Sequence, residues 1–204
     1  QAVITNLVLR YQFKRAGRGP LNVHKARHMV NKVAQRNPPT PKDIAHTPLA
    51  GRTGAGLCSA EWLSVAHPQP TVLYFHGGGY FFCGLDTHRP TCAYLARTAQ
   101  ARVLSVDYRM APEHVFPAAV NDAVAWWKEL LDQGFKSWFI LTSDYAFGHQ
   151  MEADLRAEIA KDKGEVLGSV KHPLGAMDFS SFLLQGQASG AQVIALANAG
   201  ADTV

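Results

Sequence analysis

Thr71-Val72-Leu73-Tyr74-Phe75-His76-Gly77-Gly78-Gly79-Tyr80 is the stretch on which the fold turns. Its first five residues form a short apolar run rich in β-branched and aromatic side chains, which predicts a core strand. Three glycines follow almost at once. Glycine lets a backbone come close to a ligand and take dihedrals closed to other residues. A glycine run directly after a core strand can therefore present backbone N–H groups fixed in advance of any reaction. Such donors suit chemistry in which a negative oxygen develops, as when a nucleophile attacks an acyl carbon. Losing one typically costs roughly 3–4 kcal/mol of barrier. Glycine runs after strands also serve as plain tight turns, so the flanking sequence has to decide.

Working outward, the apolar spacing predicts helices over 3–16 and 21–36, separated by Gly17, Gly19 and Pro20. Asn37-Pro38-Pro39-Thr40-Pro41 ends the second, since proline lacks a donor and restricts the residue before it. Strands are expected near 44–48 and 57–64. Beyond the glycines come a helix at 87–99, a strand at 101–106, and a helix that Pro117 opens and Gly134 stops. The alternation continues with strands at 138–142, 165–170 and 192–197 and helices at 147–162 and 178–188. This pattern predicts an α/β fold, a mostly parallel, doubly wound sheet with helices on both faces.

Composition sets the outer bounds. The 204 residues are 47% hydrophobic and 18% charged, as in a globular protein. No apolar run reaches the roughly 18 residues of a membrane span, and Gln1–Leu9 is too short and lacks a following small-residue cleavage site. Cys58, Cys83 and Cys92 have no CxxC spacing and read as free thiols, so a cytoplasmic protein is expected. No acidic residue precedes Asp43, whereas Arg10, Lys14, Arg15, Arg18, Lys25, Arg27, Lys32, Arg36 and Lys42 are all basic. Without base-stacking aromatics this reads as solvated helix faces, and no nucleic-acid partner is expected. No cofactor is implied, because phosphate loops, dinucleotide fingerprints and metal-ligand spacings are absent from the sequence. Oligomeric state is not legible.

Three motifs occur in order: Val72-Leu73-Tyr74-Phe75-His76-Gly77-Gly78-Gly79-Tyr80, Leu85-Asp86-Thr87-His88-Arg89, and Asp107-Tyr108-Arg109-Met110-Ala111-Pro112-Glu113-His114 followed by Phe116-Pro117-Ala118-Ala119. Together they resemble the hormone-sensitive-lipase-like esterases of the α/β-hydrolase fold, over about residues 1–135. The resemblance implies a helical cap at 1–42, the N-terminal part of a hydrolase domain at 43–135, and a small-molecule substrate such as a short acyl ester or lactone. It further implies an oxyanion-hole region of His76, Gly77, Gly78 and Gly79, with Gly77 and Gly78 donating and Asp107 to Glu113 steadying the loops. In that family the next strand ends in a Gly-x-Ser-x-Gly elbow, and no serine here fits the pattern. Ser143 comes nearest, but Leu141 and Tyr145 would crowd such a turn. His149 and His172 lack the family's surroundings and are expected to be surface or capping residues.

After Phe135 the likeness changes. Lys136-Ser137-Trp138-Phe139-Ile140-Leu141-Thr142-Ser143-Asp144-Tyr145-Ala146-Phe147-Gly148-His149 resembles periplasmic solute-binding proteins of the branched-chain amino-acid receptor group. The likeness continues through 168–174, 178–185 and 193–200. It implies a β-α-β-α-β segment at 136–204, part of one receptor lobe, in which Tyr145 or Phe147 could pack against a ligand. Two readings follow: an esterase-like protein of residual or no activity, or a non-catalytic chimera or binding module. The strand at 138–142 is expected to take the sheet position of the missing elbow strand. Otherwise the two pieces attach loosely and leave an aggregation-prone sheet edge.

Overall fold

A computed structural model describes residues 22–197 apart from 53, 55, 69, 175 and 177. The helix expected at 3–16 lies outside the described residues. Helix α1 runs Val23–Ala34, opened by Asn22, whose side chain accepts from the Lys25 N–H at 2.9 Å. Strands β1 (Ala45–Leu49), β2 (Ala60–Ser64) and β3 (Thr71–Phe75) follow, then α2 (Leu85–Thr98) and β4 (Arg102–Val106). The rest of the chain forms α3 (Ala118–Asp132), β5 (Ser137–Ser143), α4 (Ala146–Lys161), β6 (Glu165–His172), α5 (Ser180–Ala188) and β7 (Val193–Ala197).

All of these strands join one seven-stranded sheet in the order β1-β2-β4-β3-β7-β5-β6. β2 pairs antiparallel with β1 and β4, and every other pairing is parallel. Period-two alternation sends neighbouring residues to opposite faces. Val72, Tyr74, Val103 and Ile194 pack on one face with Cys92, Ala93 and Ala96 of α2 and Leu183 of α5. On the other face Leu73, Leu104 and Val106 meet Trp126 and Leu130 of α3. Farther along that face Trp138, Ile140, Val193 and Ala195 meet Ile159 of α4. A doubly wound α/β sheet is thus what the alternation of elements builds.

Sheet order departs from chain order. β5 does not neighbour β3, because β7 lies between them. β7 pairs with β5 from Trp138↔Val193 to Thr142↔Ala197, and with β3 only at Thr71↔Val193 and Val72↔Ile194. The cause is the crossovers. β5-α4-β6 steps outward over one face, and β6-α5-β7 steps back past β5 over the other, as right-handed connections require. The sheet position beside β3 therefore belongs to the last strand. Boundaries also differ locally. β2 begins at Ala60, since Leu57 is instead bridged to Arg52, and β6 reaches His172, because its ladder continues to Ser143↔His172.

Candidate active site

The chain leaves β3 at the carboxyl edge of the sheet and winds tightly through residues 76–83. Gly78 (φ 128°) and Gly79 (φ 59°) sit in left-handed backbone regions, as do Tyr80 (φ 65°) and Cys83 (φ 72°). A Cβ on Gly78 would fall 2.0 Å from the Phe82 carbonyl oxygen, so no side chain fits there. A Cβ on Gly79 would lie 2.9 Å from the Phe81 ring. The Gly78 carbonyl accepts from the N–H groups of Phe81 and Phe82, both at 3.2 Å, which closes the turn. The N–H groups of Gly77, Gly78 and Gly79 donate to no group among the described residues. Gly78 admits no side chain, and one at Gly79 would have to displace the Phe81 ring; unengaged N–H donors beside such glycines can face a developing oxyanion.

Neighbouring motifs hold this loop. Tyr108 Oη donates to the His76 carbonyl at 2.5 Å, and the His76 ring stacks on Tyr108 at 4.2 Å between centroids. The Arg109 guanidinium and N–H grip the buried Asp122 carboxylate at 2.8–3.1 Å, which fixes the chain after β4 to α3. Arg27 of α1 donates to the Phe81 carbonyl at 2.6 Å, to both Glu113 oxygens at 2.7 and 2.8 Å, and to the Ala111 carbonyl. One side chain of the first described helix thus ties together the two loops at the carboxyl edge.

Two histidines flank the glycines. His76 is 3% exposed, its Nδ1 lies 2.9 Å from the Gly77 carbonyl, and its Nε2 has no partner among the described residues. Burial pushes its pKa down. His88 follows in the first turn of α2, and burial, helped by repulsion from His76, pushes its pKa down to about 4. Its tautomer follows from its neighbour. Thr87 has one hydroxyl proton, and the Gly84 carbonyl 2.7 Å away can only accept it. The Thr87 oxygen must then accept from the Gly84 N–H at 3.0 Å and from His88 Nδ1 at 2.9 Å. Nδ1 is therefore the protonated nitrogen, and Nε2 carries the lone pair. Asp107 beside this group has its carboxyl pKa raised by burial, with His76 opposing.

The residues singled out in the sequence divide into two groups. His76, Gly77, Gly78 and Gly79 form one loop with Asp107–Glu113 against it. Tyr145 stands half-buried beyond β5, two strand spacings from β3, roughly 10 Å along the sheet. The Phe147 side chain lies outside the described residues. Ser143 is fully buried, and a Cβ on Gly148 would meet its carbonyl at 2.1 Å and its hydroxyl at 2.8 Å, so backbone covers it. His149 is at the surface and pairs with the Asp144 side chain at 2.8 Å near the start of α4. His172 is a correction. It is 0% exposed and packs edge-on against Phe179 at 4.7 Å, because β6 runs two residues farther than expected and carries it under α5. The residue that sequence reasoning passed over is His88, legible only as part of Leu85-Asp86-Thr87-His88-Arg89.

Comparison with known proteins agrees with this geometry. The sequence model of the alpha/beta hydrolase fold family matches residues 72–201. Esterase LipI of Mycobacterium tuberculosis is 54% identical over 83 residues, which is 41% of this chain and 26% of LipI. An esterase from the bacterial hormone-sensitive lipase family superposes with a TM-score of 0.56 at 28% identity, covering 78% of this chain and 54% of that one. A periplasmic binding protein from Burkholderia mallei is 55% identical over 37% of this chain and 20% of its own, with a TM-score of 0.35. The chain thus spans about half of the solved esterase and about a quarter of the curated one. The fold, the glycine loop after β3 and the family match converge: this chain belongs to the alpha/beta hydrolase fold family.

Proposed function

We propose that the chain is a carboxylic-ester-hydrolase scaffold that binds the acyl oxygen of short esters or lactones through the N–H groups of Gly77 and Gly78 but lacks a serine nucleophile. One observation carries the second half of this reading. In the esterases this chain resembles, the serine stands in a Gly-x-Ser-x-Gly elbow at a strand end; the end of β5 lacks that pattern, and the residues after β7 read Asn198-Ala199-Gly200-Ala201-Asp202-Thr203-Val204. No serine or cysteine stands in that run. A weak nucleophile also needs a positioned base beside it, and His149 is engaged with Asp144 while His172 is buried among phenylalanines. An oxyanion hole and substrate binding alone leave only a small fraction of such an enzyme's rate. The change of likeness near Phe135 supports a chain joined from two ancestries, with a cytoplasmic location as the corollary of its free thiols.

The test is hydrolysis of p-nitrophenyl acetate by the purified chain, with and without a serine-directed fluorophosphonate, with intact mass read in parallel. The expected result is a slow rate that the fluorophosphonate leaves unchanged, with no mass adduct. Full inhibition with one labelled serine would sink the proposal.

A second reading makes the chain a binding module derived from an amino-acid receptor. It is favoured by the sub-order β6-β5-β7, a doubly wound 2-1-3 arrangement whose switch point lies at the carboxyl ends of β5 and β7, beside Tyr145. Ligands in open α/β sheets bind at such points. A rise in melting temperature with leucine or valine, abolished by Tyr145→Ala, would support it. No shift at millimolar ligand would reject it.

A further inference from the structure

The geometry points to His88 as the general base that activates water against an acyl carbonyl held by the Gly77 and Gly78 N–H groups, giving a serine-independent hydrolysis of activated esters. This rests on the oxyanion-hole reading above. Of the three glycines, Gly78 and Gly79 are blocked on their Cβ side by Phe82 and Phe81, whereas the space beside Gly77 is open. Apart from its chain neighbours His76 and Gly78, a Cβ built on Gly77 meets His88 Nε2, at 3.9 Å. That nitrogen bears the lone pair, because the Thr87 oxygen fixes the proton on Nδ1. His88 is partly exposed. A proton acceptor and unengaged oxyanion donors therefore border the same space.

Other groups there do not compete. Thr87 has given its proton to Gly84. Burial pushes the Cys83 thiol pKa up, with the Thr87 hydroxyl opposing. Ser105 is fully buried within β4.

The step balances with water as the only co-reactant. His88 Nε2 takes a proton from water while the water oxygen bonds to the acyl carbon, and the carbonyl electron pair moves onto the oxygen facing the Gly77 and Gly78 N–H groups. The tetrahedral species collapses, the carbon–oxygen bond to the leaving group breaks, and the imidazolium returns its proton to the departing oxygen. Acid and alcohol leave, and the neutral ring is restored. Positioned general bases contribute about a hundredfold or more. Because burial keeps His88 unprotonated, the rate should show no inflection near an ordinary histidine pKa of about 6.5.

The experiment is p-nitrophenyl acetate hydrolysis by the intact chain and by Gly78→Ala, His88→Gln and His88→Gly, each checked by circular dichroism. His88→Gln keeps an amide able to donate to Thr87 while removing the base. The expected result is loss of most turnover in Gly78→Ala and His88→Gln, with recovery of at least several-fold when imidazole is added to His88→Gly. Loss in Gly78→Ala with full activity in His88→Gln overturns the role of His88 and leaves the oxyanion hole standing. A rate indifferent to Gly78→Ala, or no rate at all, overturns the oxyanion-hole reading and this inference with it. Equal loss in both histidine variants without imidazole rescue, in correctly folded protein, overturns the base role in favour of a positioning one.

Discussion

Gly78 and His88 carry most of what single residues decide. At Gly78 an alanine methyl would sit 2.0 Å from a backbone oxygen in a conformation L residues avoid. Its cost falls in the loop rather than the core, so Gly78→Ala is expected to keep the sheet's circular dichroism while losing any ester turnover. His88, held neutral by burial, also makes stability depend on pH. A base whose folded pKa lies below its unfolded value contributes stability that is present above about pH 6.5 and is lost as pH falls toward about 4, since only the unfolded chain takes the proton there. His76 adds to the same slope. We expect the melting temperature to fall more steeply between pH 6.5 and 4 for the parent chain than for His88→Gln, by thermal scans in matched buffers. Asp122 supplies a further test. It is 1% exposed and its carboxylate rests on Arg109, so Arg109→Leu leaves a buried charge without its guanidinium. The Arg109 side chain is itself 46% exposed and its backbone N–H would still donate to Asp122, so screening by solvent limits the loss to about 1–3 kcal/mol. Urea titration should show Arg109→Leu to be more damaging than Asp122→Asn, which removes the charge itself.

Among the elements, helix α5 and strand β6 show how the C-terminal segment is fitted to the sheet. α5 presents Gly186 to the sheet, and a Cβ there would meet Ile194 at 2.9 Å and Phe139 at 3.3 Å. Gly186→Leu should therefore destabilise by about 1–3 kcal/mol through overpacking, read as a lower urea midpoint with unchanged slope. β6 is an eight-residue edge strand with Glu165, Leu167, Ser169 and Lys171 exposed. Its charges and the register irregularity opposite Trp138/Phe139 blunt the edge. Replacing both Glu165 and Lys171 with valine should raise light scattering at a fixed concentration, whereas the same pair of changes to glutamine should not. β1 protects the opposite edge with Pro48.

For the whole molecule, the sheet decides whether the two halves behave as one. Ile194 of β7 is 1% exposed and packs in the cluster that holds Val72, Val103 and α2, while its neighbours Val193 and Ala195 pack with Trp138 and Ile140. β7 is thus shared by two cores, although its ladder with β3 is only two residues long. Leu104→Ala in one half and Ile140→Ala in the other should each lower a single common unfolding transition, by about 2–5 kcal/mol. Two separable transitions, each sensitive to one substitution, would show that the short β3–β7 ladder does not couple the halves.

The sequence by itself determined the elements and the family. Hydrophobic period and proline or glycine punctuation are local, so strands and helices from β3 onward could be located to within a few residues. Gly77, Gly78 and Gly79 could be placed in a tight loop after β3, because a glycine run states its own backbone requirement. Strand order could not be read, since β7 comes last in the chain and its place beside β3 depends on which crossover returns over which face. The fate of His172 followed from that same packing, as two extra ladder residues carried it from the expected surface into an aromatic core. The environment of His88 was equally closed to sequence, because a tautomer and a neutral ring are set by hydrogen bonds and burial that exist only once Gly84, Thr87 and His76 have been brought around it.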